Sequence, residues 1–199
     1  AAVADVASET LIHLGPGTFT LTETLVADFN FGLAGNGMEG SNSTTIEYDG
    51  DVVYVYEAGF WAQDICFVST AVGSPADVIT VDHGDIILTD CCVIGGTRWN
   101  DVAGDGLYLY GDSLADVYGC VFAFNDLHGI DVEGTSDLYA EGIICSENGH
   151  DGICFWDESI GFVIDSTCEL NGSAGIMAND FADIEVRDSV CSGNYGDGI

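Results

Sequence analysis

The chain has 199 residues, enough for one domain with a sizeable core, and 47% of them are hydrophobic. Against 34 aspartates and glutamates stand only Arg98 and Arg187, so the formal net charge is −32. Such a field repels phosphates and anionic lipid surfaces, which excludes nucleic acid and membrane insertion as expectations, while 11% aromatic content argues against a disordered acidic chain.

Residues 1–10 read as a small-residue lead-in or short cap. They lack the basic start and apolar core of a signal peptide. For an exported protein that signal would already have been removed, and no later run reaches the length of a membrane span. Residues 11–49 supply two turns of a coil, with 35–43 as a polar loop, and 52–56 open the next turn. The segment 64–68 is echoed by 85–88, a step of 21. Residues 95–104 then form a longer loop: aligning Val93 with Phe122 gives an offset of 29, six more than the step that follows. Repeat proteins place such insertions on one face, often the binding face.

From residue 105 onward one unit recurs. Gly106-Leu107, Gly129-Ile130, Gly152-Ile153, Gly175-Ile176 and Gly198-Ile199 fall 23 residues apart, and Asn125, Asn148, Asn171 and Asn194 keep the same step. So do Phe122, Cys145, Cys168 and Cys191. A period this short, without a helical pattern inside it, describes a solenoid with one turn per repeat. Within the unit, alternation predicts a strand with Leu107, Ile130, Ile153, Ile176 and Ile199 inward, followed by Leu109, Val132, Phe155 and Ala178. Two ladders then face solvent: Tyr108, Asp131, Cys154, Met177, and Tyr110, Glu133, Trp156, Asn179. A second strand follows in each unit, as at 183–186 and 159–164, and a constant step makes successive strands parallel. The asparagines read as corner ladders, and the Phe122 to Cys191 register as core. Of the eight cysteines, Cys91 and Cys120 align and would meet, while the rest read mostly as free thiols. No Cys-x-x-Cys spacing suggests zinc.

Units such as Asn148-Gly149-His150-Asp151-Gly152-Ile153, together with Gly15-Pro16-Gly17-Thr18-Phe19 near the start, resemble right-handed parallel β-helix proteins of the pectate-lyase-like superfamily. The resemblance implies an all-β, single-stranded, right-handed parallel β-helix of about eight turns of 21–29 residues, forming one domain over residues 1–199. It leaves chemistry open, because that superfamily holds lyases, hydrolases, epimerases, adhesins and tailspikes. Family lyases use arginine or lysine as base, and lysine is absent. The Gly-His-Gly of the galacturonan hydrolases is absent too, and Asp126-Leu127-His128 is similar to the Asp-Pro-His of uronate epimerases with Leu127 in the proline position.

Candidate site residues follow from the outward face. Asp131 and Glu133 are two carboxylates on one strand, the pair a glycoside hydrolase needs, although a plain acidic face explains them as well. Arg98, Trp99, Tyr108, Tyr110, Trp156 and Asp157 are candidate sugar contacts, with a solvated loop as the alternative for Arg98 and Trp99. No cofactor is required; calcium is the candidate cation, at Asp101, Asp105 and Asp126. Adaptation to high salt accounts for the charge bias over the whole chain. The expected function is a non-enzymatic extracellular module of a cell-surface or filament assembly, with a carbohydrate-active enzyme as the alternative. Gly198-Ile199 opens a further turn, so the expected partners are further domains or a second copy stacked head to tail, besides polysaccharide.

Overall fold

The computed structural model describes residues 8–38, 40–98 and 102–199. Among these residues there are 23 strands, in two sheets of eight and one of seven, and no helix. Sheet A runs from Thr10–His13 to Asp183–Arg187, sheet B from Gly17–Thr20 to Val190–Ser192, and sheet C from Leu25–Ala27 to Ile176–Ala178. The chain visits A, B and C in turn and then climbs one rung, which makes every ladder parallel, as in Leu107↔Ile130↔Ile153↔Ile176. The result is a parallel β-solenoid of about eight turns.

The sheets meet at three bends, and most of the crossings carry a residue with a left-handed backbone. Between A and B these are Asp64, Asp90, Gly119, Gly142, Asp165 and Asp188; between C and A they are Glu57, His83, Gly111, Gly134, Asp157 and Asp180. Between B and C they include Gly95, Phe124, Glu147, Leu170 and Gly193. Aspartate and glycine tolerate this conformation at least cost, so part of the aspartate content serves the bends. The repeated glycine has another cause: a Cβ on Gly106, Gly129 or Gly152 would sit about 2.6 Å from the next turn's glycine carbonyl.

Inside the coil, side chains stack in columns. Leu107, Ile130, Ile153 and Ile176 are fully buried, as are Leu109, Val132 and Phe155, in agreement with the alternation. Phe122, Cys145 and Cys168 form the column of sheet B. Ala178 continues the ladder of the buried Phe155 but is itself exposed, as is Ile199. Asn125, Asn148, Asn171 and Asn194 form the expected ladder, each side-chain N–H donating to the next side-chain oxygen at 3.0 Å.

Two sequence expectations change, and the cysteines gain a pair that the sequence did not single out. The step of 21 joined two different sheets: Cys66–Ser69 belongs to B and Asp85–Thr89 to A, and the partner of Cys66 is Cys92, 26 residues on. Each turn also carries a third strand, three residues long where it holds the cysteine register, too short to announce itself by alternation. Among the cysteines, Cys66 and Cys92 form a disulfide between neighbouring rungs, whereas Cys91 and Cys120 touch as free thiols, with the Cys91 N–H donating to Cys120 Sγ at 3.3 Å. The 29-residue offset stands, with Val93 paired to Phe122.

Candidate functional site

The outer face of sheet C gathers the chemistry. Parallel pairing places Tyr54, Thr80, Tyr108, Asp131, Cys154 and Met177 on one ladder, and Tyr56, Asp82 and Tyr110 on the next. Phenols are tied to carboxylates along this face. Tyr54 donates to Asp82 Oδ2 at 2.7 Å and Tyr108 to Glu133 Oε2 at 2.6 Å, while the Tyr54 and Tyr110 hydroxyls lie 3.5 Å apart. The rings stand side by side, Tyr108 and Tyr110 with centroids 5.2 Å apart, Tyr54 and Tyr56 at 6.3 Å. Burial first, and then the Glu133 acceptor, push the Tyr108 phenol well above its ordinary pKa. Tyr110 rises through burial and its bonds to Asp82 and Tyr54. These phenols therefore stay protonated donors.

Sequence reasoning missed a column of polar side chains at the bend entering sheet C. Asp51, Asp77, Asp105, His128 and Asp151 occupy successive rungs, each aspartate accepting a backbone N–H from the turn above. Asp77 Oδ1 accepts from Gly104 and Asp105 at 2.8 and 2.9 Å, Asp105 Oδ1 from His128 at 2.8 Å, and Asp151 Oδ1 from Ala174 at 2.6 Å. Its trace in the sequence is the recurring Asp-Gly before an aliphatic residue at 105 and 151, with His128 one rung between. Burial raises the pKa of Asp77 and carries that of Asp105 well above the ordinary value, the Asp131 charge adding to the latter. For His128, burial opposes the charged ring, but the Asp151 hydrogen bond and the charges of Asp131 and Asp105 outweigh it, so its pKa rises. Asp151 moves the other way: burial resists ionisation, yet His128, Ser173 and the Ala174 N–H hold it well below the ordinary value.

The expected solvent-facing carboxylate pair is not found. Glu133 is half-buried and engaged by Tyr108, but Asp131 is only 6% exposed and Cys154 is fully buried. Alternation fixes the side of the sheet a residue leaves from; it does not reveal that His128 and Trp156 cover that side here. Burial, reinforced by Glu133 and Asp77 against the help of His128 and Trp156, pushes Asp131 up to about 7.

The remaining candidates scatter. Trp156 is half-buried beside Asp131, whereas Asp157 is an exposed bend residue whose Oδ2 accepts the Gly134 N–H at 3.1 Å. Arg98 is exposed, and its backbone N–H donates to Asp126 Oδ2 at 3.1 Å. Trp99 and Asp101 lie outside the described residues. Asp105 and Asp126 do not form an oxygen cage: Asp105 is buried in the polar column, Asp126 is exposed, and neither joins a cluster of metal-ligating groups among the described residues. Such clusters are His128, Asp131 and Cys154, and His128, His150 and Asp151.

Among known proteins, the family described as "Right handed beta helix region" matches residues 78–199. A comparison with curated proteins finds no match. Solved structures with the same fold include the A-module of the Azotobacter vinelandii mannuronan C-5 epimerase AlgE4, 15% identical with a TM-score of 0.60, covering 96% of this chain and 64% of that one. The periplasmic alginate epimerase AlgG, as a T265N mutant, gives 15% identity, a TM-score of 0.60 and coverages of 94% and 49%. The Dettilon tailspike protein gives 13%, 0.53, 94% and 43%. The chain thus spans less than two-thirds of each of these structures, and at such identities the likeness concerns the fold.

Proposed function

The chain belongs to the right-handed β-helix family, and from that premise we propose that it is a glycan-engaging surface module whose ligand lies along the outer face of sheet C. One observation carries the reading: Tyr54, Tyr108 and Tyr110 alternate with Asp82 and Glu133 along four rungs, their hydroxyls pinned by those carboxylates. Sugars need both elements, ring surface for their C–H faces and acceptors for their hydroxyls. Parallel rungs about 4.8 Å apart repeat these elements along an extended chain. With a net charge of −32, the ligand is a neutral glycan rather than a polyuronate, and the working environment is salt-rich and outside the cell. Among the fold neighbours, a mannuronan C-5 epimerase and an alginate epimerase support the reading of a polysaccharide-facing coil.

A second reading, a carbohydrate-active enzyme on the same face, draws on Glu133, half-buried, near Asp131 and oriented by the Tyr108 hydroxyl at 2.6 Å, as a carboxylate placed to exchange a proton with a bound sugar. One experiment addresses both. Binding to neutral and acidic polysaccharides is followed by affinity electrophoresis and calorimetry in molar salt, with new reducing ends measured in parallel. The double variant Tyr108→Ala, Tyr110→Ala is expected to weaken binding at least about 5-fold, from stacking losses of about 0.5–1.5 kcal/mol per ring, while Tyr195→Ala, at a 92% exposed position elsewhere, leaves it unchanged. Failure of the parent to bind any glycan, or equal binding by the folded double variant, refutes the module. Reducing ends that vanish with Glu133→Gln establish the enzyme instead.

A further inference from the structure

The cluster beneath the aromatic face has a composition that glycan binding does not explain. His128, Asp131 and Cys154 bring one nitrogen, one oxygen and one sulfur donor within 4.8 Å of one another, and all three residues are buried. Their convergence is built into the coil. Asp131 and Cys154 are direct partners on neighbouring rungs, and His128 stands three residues before Asp131 at the bend that opens the strand. Separately, Asp131 Oδ1 is buried and has no hydrogen-bond partner among the described residues, in a residue 94% removed from solvent. Buried carboxylate oxygens are normally satisfied, and one left over beside an imidazole and a thiol asks for a cation.

We propose that His128, Asp131 and Cys154 form a binding site for zinc or a similar first-row divalent ion. The surroundings fit that use. His128 Nδ1 lies 3.3 Å from Asp151 Oδ2, which leaves Nε2 as the ring nitrogen for the metal and supplies the carboxylate partner that metal-bound histidines usually have. Asp151 is itself fixed, through Ala174 N–H at 2.6 Å and His150 at 2.8 Å. The Asn179 side-chain N–H reaches Cys154 Sγ at 3.6 Å, a donor suited to a metal-bound thiolate. A mixed nitrogen, oxygen and sulfur set selects zinc, cobalt or nickel over calcium, which takes six to eight oxygens. Three protein ligands also leave a fourth position open, in the manner of catalytic rather than structural zinc. The site therefore departs from the calcium expectation in residues as well as in metal.

The test uses the whole chain, stripped with chelator and titrated with zinc in molar sodium chloride containing excess calcium, so that loose binding to surface carboxylates is suppressed. Cobalt is titrated in parallel, since a cobalt–thiolate bond gives a charge-transfer absorption that oxygen sites lack. The expected result is one tight zinc per chain and a thiolate band with cobalt. Asp131→Asn should weaken zinc by more than about 10-fold, since even the loss of an outer partner of a metal ligand costs about 10- to 100-fold, and Cys154→Ser should abolish the band. Tyr195→Ala, at an exposed position elsewhere, should retain both. Melting curves of the stripped variants confirm folding, and Asp131→Asn, which preserves shape, keeps the test alive should Cys154→Ser misfold. No tight zinc in the parent overturns the proposal. Zinc lost in His150→Ala but kept in Cys154→Ser also overturns it, because the ion would then sit on the other side of His128, between His150 and Asp151.

Discussion

Replacing Asn148 by alanine isolates the corner ladder from everything else in the coil. Asn148 is 2% exposed, and its side chain makes four hydrogen bonds. Nδ2 donates to Asn171 Oδ1 at 3.0 Å and to the Phe122 carbonyl at 3.1 Å; Oδ1 accepts from the Asn125 backbone at 3.2 Å and from Asn125 Nδ2 at 3.0 Å. Asn171 Oδ1 keeps a second donor, the Asn148 backbone N–H at 3.1 Å, so truncation leaves the Asn125 N–H as the group most exposed to loss. A buried N–H without an acceptor costs about 1–3 kcal/mol, and each bond lost between groups that retain partners costs about 0.5–1.5 kcal/mol. The sum, one stranded N–H and three such bonds, predicts about 5 kcal/mol, or a fall in Tm of roughly 10–20 °C for a chain of this size. Asn36→Ala is the control, since Asn36 makes its side-chain bond to the Leu14 carbonyl at an exposed position and should cost under about 1 kcal/mol. Asn148→Asp should be worse than alanine at neutral pH, because a carboxylate oxygen would face the Asn171 oxygen and the Phe122 carbonyl. It should recover as pH falls and that carboxyl gains a proton to donate. Thermal and denaturant unfolding at fixed salt provide the measurement. An Asn148→Ala protein that melts no lower than Asn36→Ala would show that the ladder merely follows the fold without holding it.

Two further predictions concern the bends and the polar column. The pKa of Asp77 is raised above 3.8 chiefly by burial, so between that value and the folded pKa the folded state holds more protons than the unfolded one. Stability should therefore decline as pH rises through this window, and Asp77→Asn, which can still accept the Gly104 and Asp105 N–H groups, should flatten that part of the pH profile; an unchanged slope refutes the assignment. Leu170 holds a φ of 58° while 58% exposed, so Leu170→Asn should raise stability by about 1 kcal/mol, and a melting point equal to or below the parent's would show that the bend carries no such strain.

From residue 105 onward the fold was legible because a constant step writes its own register: Gly129, Asn148 and Ile153 need only be aligned with their copies. Before it, turns of 26, 28 and 29 residues hide the same geometry, and 64–68 and 85–88 look like copies although they lie on different sheets. The site was half legible. Tyr108, Tyr110, Asp131 and Glu133 do leave from one face, yet Asp131 is buried beside His128, which lies outside the strand and so outside its alternation. Cys154 showed in the sequence only as an odd member of an outward ladder. Its meaning depends on its rung partner Asp131, 23 residues away, and on a histidine outside the strand.

The uniform pitch that begins at Gly106 also bears on how such a coil changes over generations. Gly129, Gly152 and Gly175 pack against one another's carbonyls in the same way, and Asn125, Asn148 and Asn171 hand on the same bond. A whole unit gained or lost by recombination would rejoin its neighbours with every inward column and corner intact. Length can then drift in whole turns while the outward residues are rewritten separately, which leaves this half of the molecule free to match the extent of whatever lies along it.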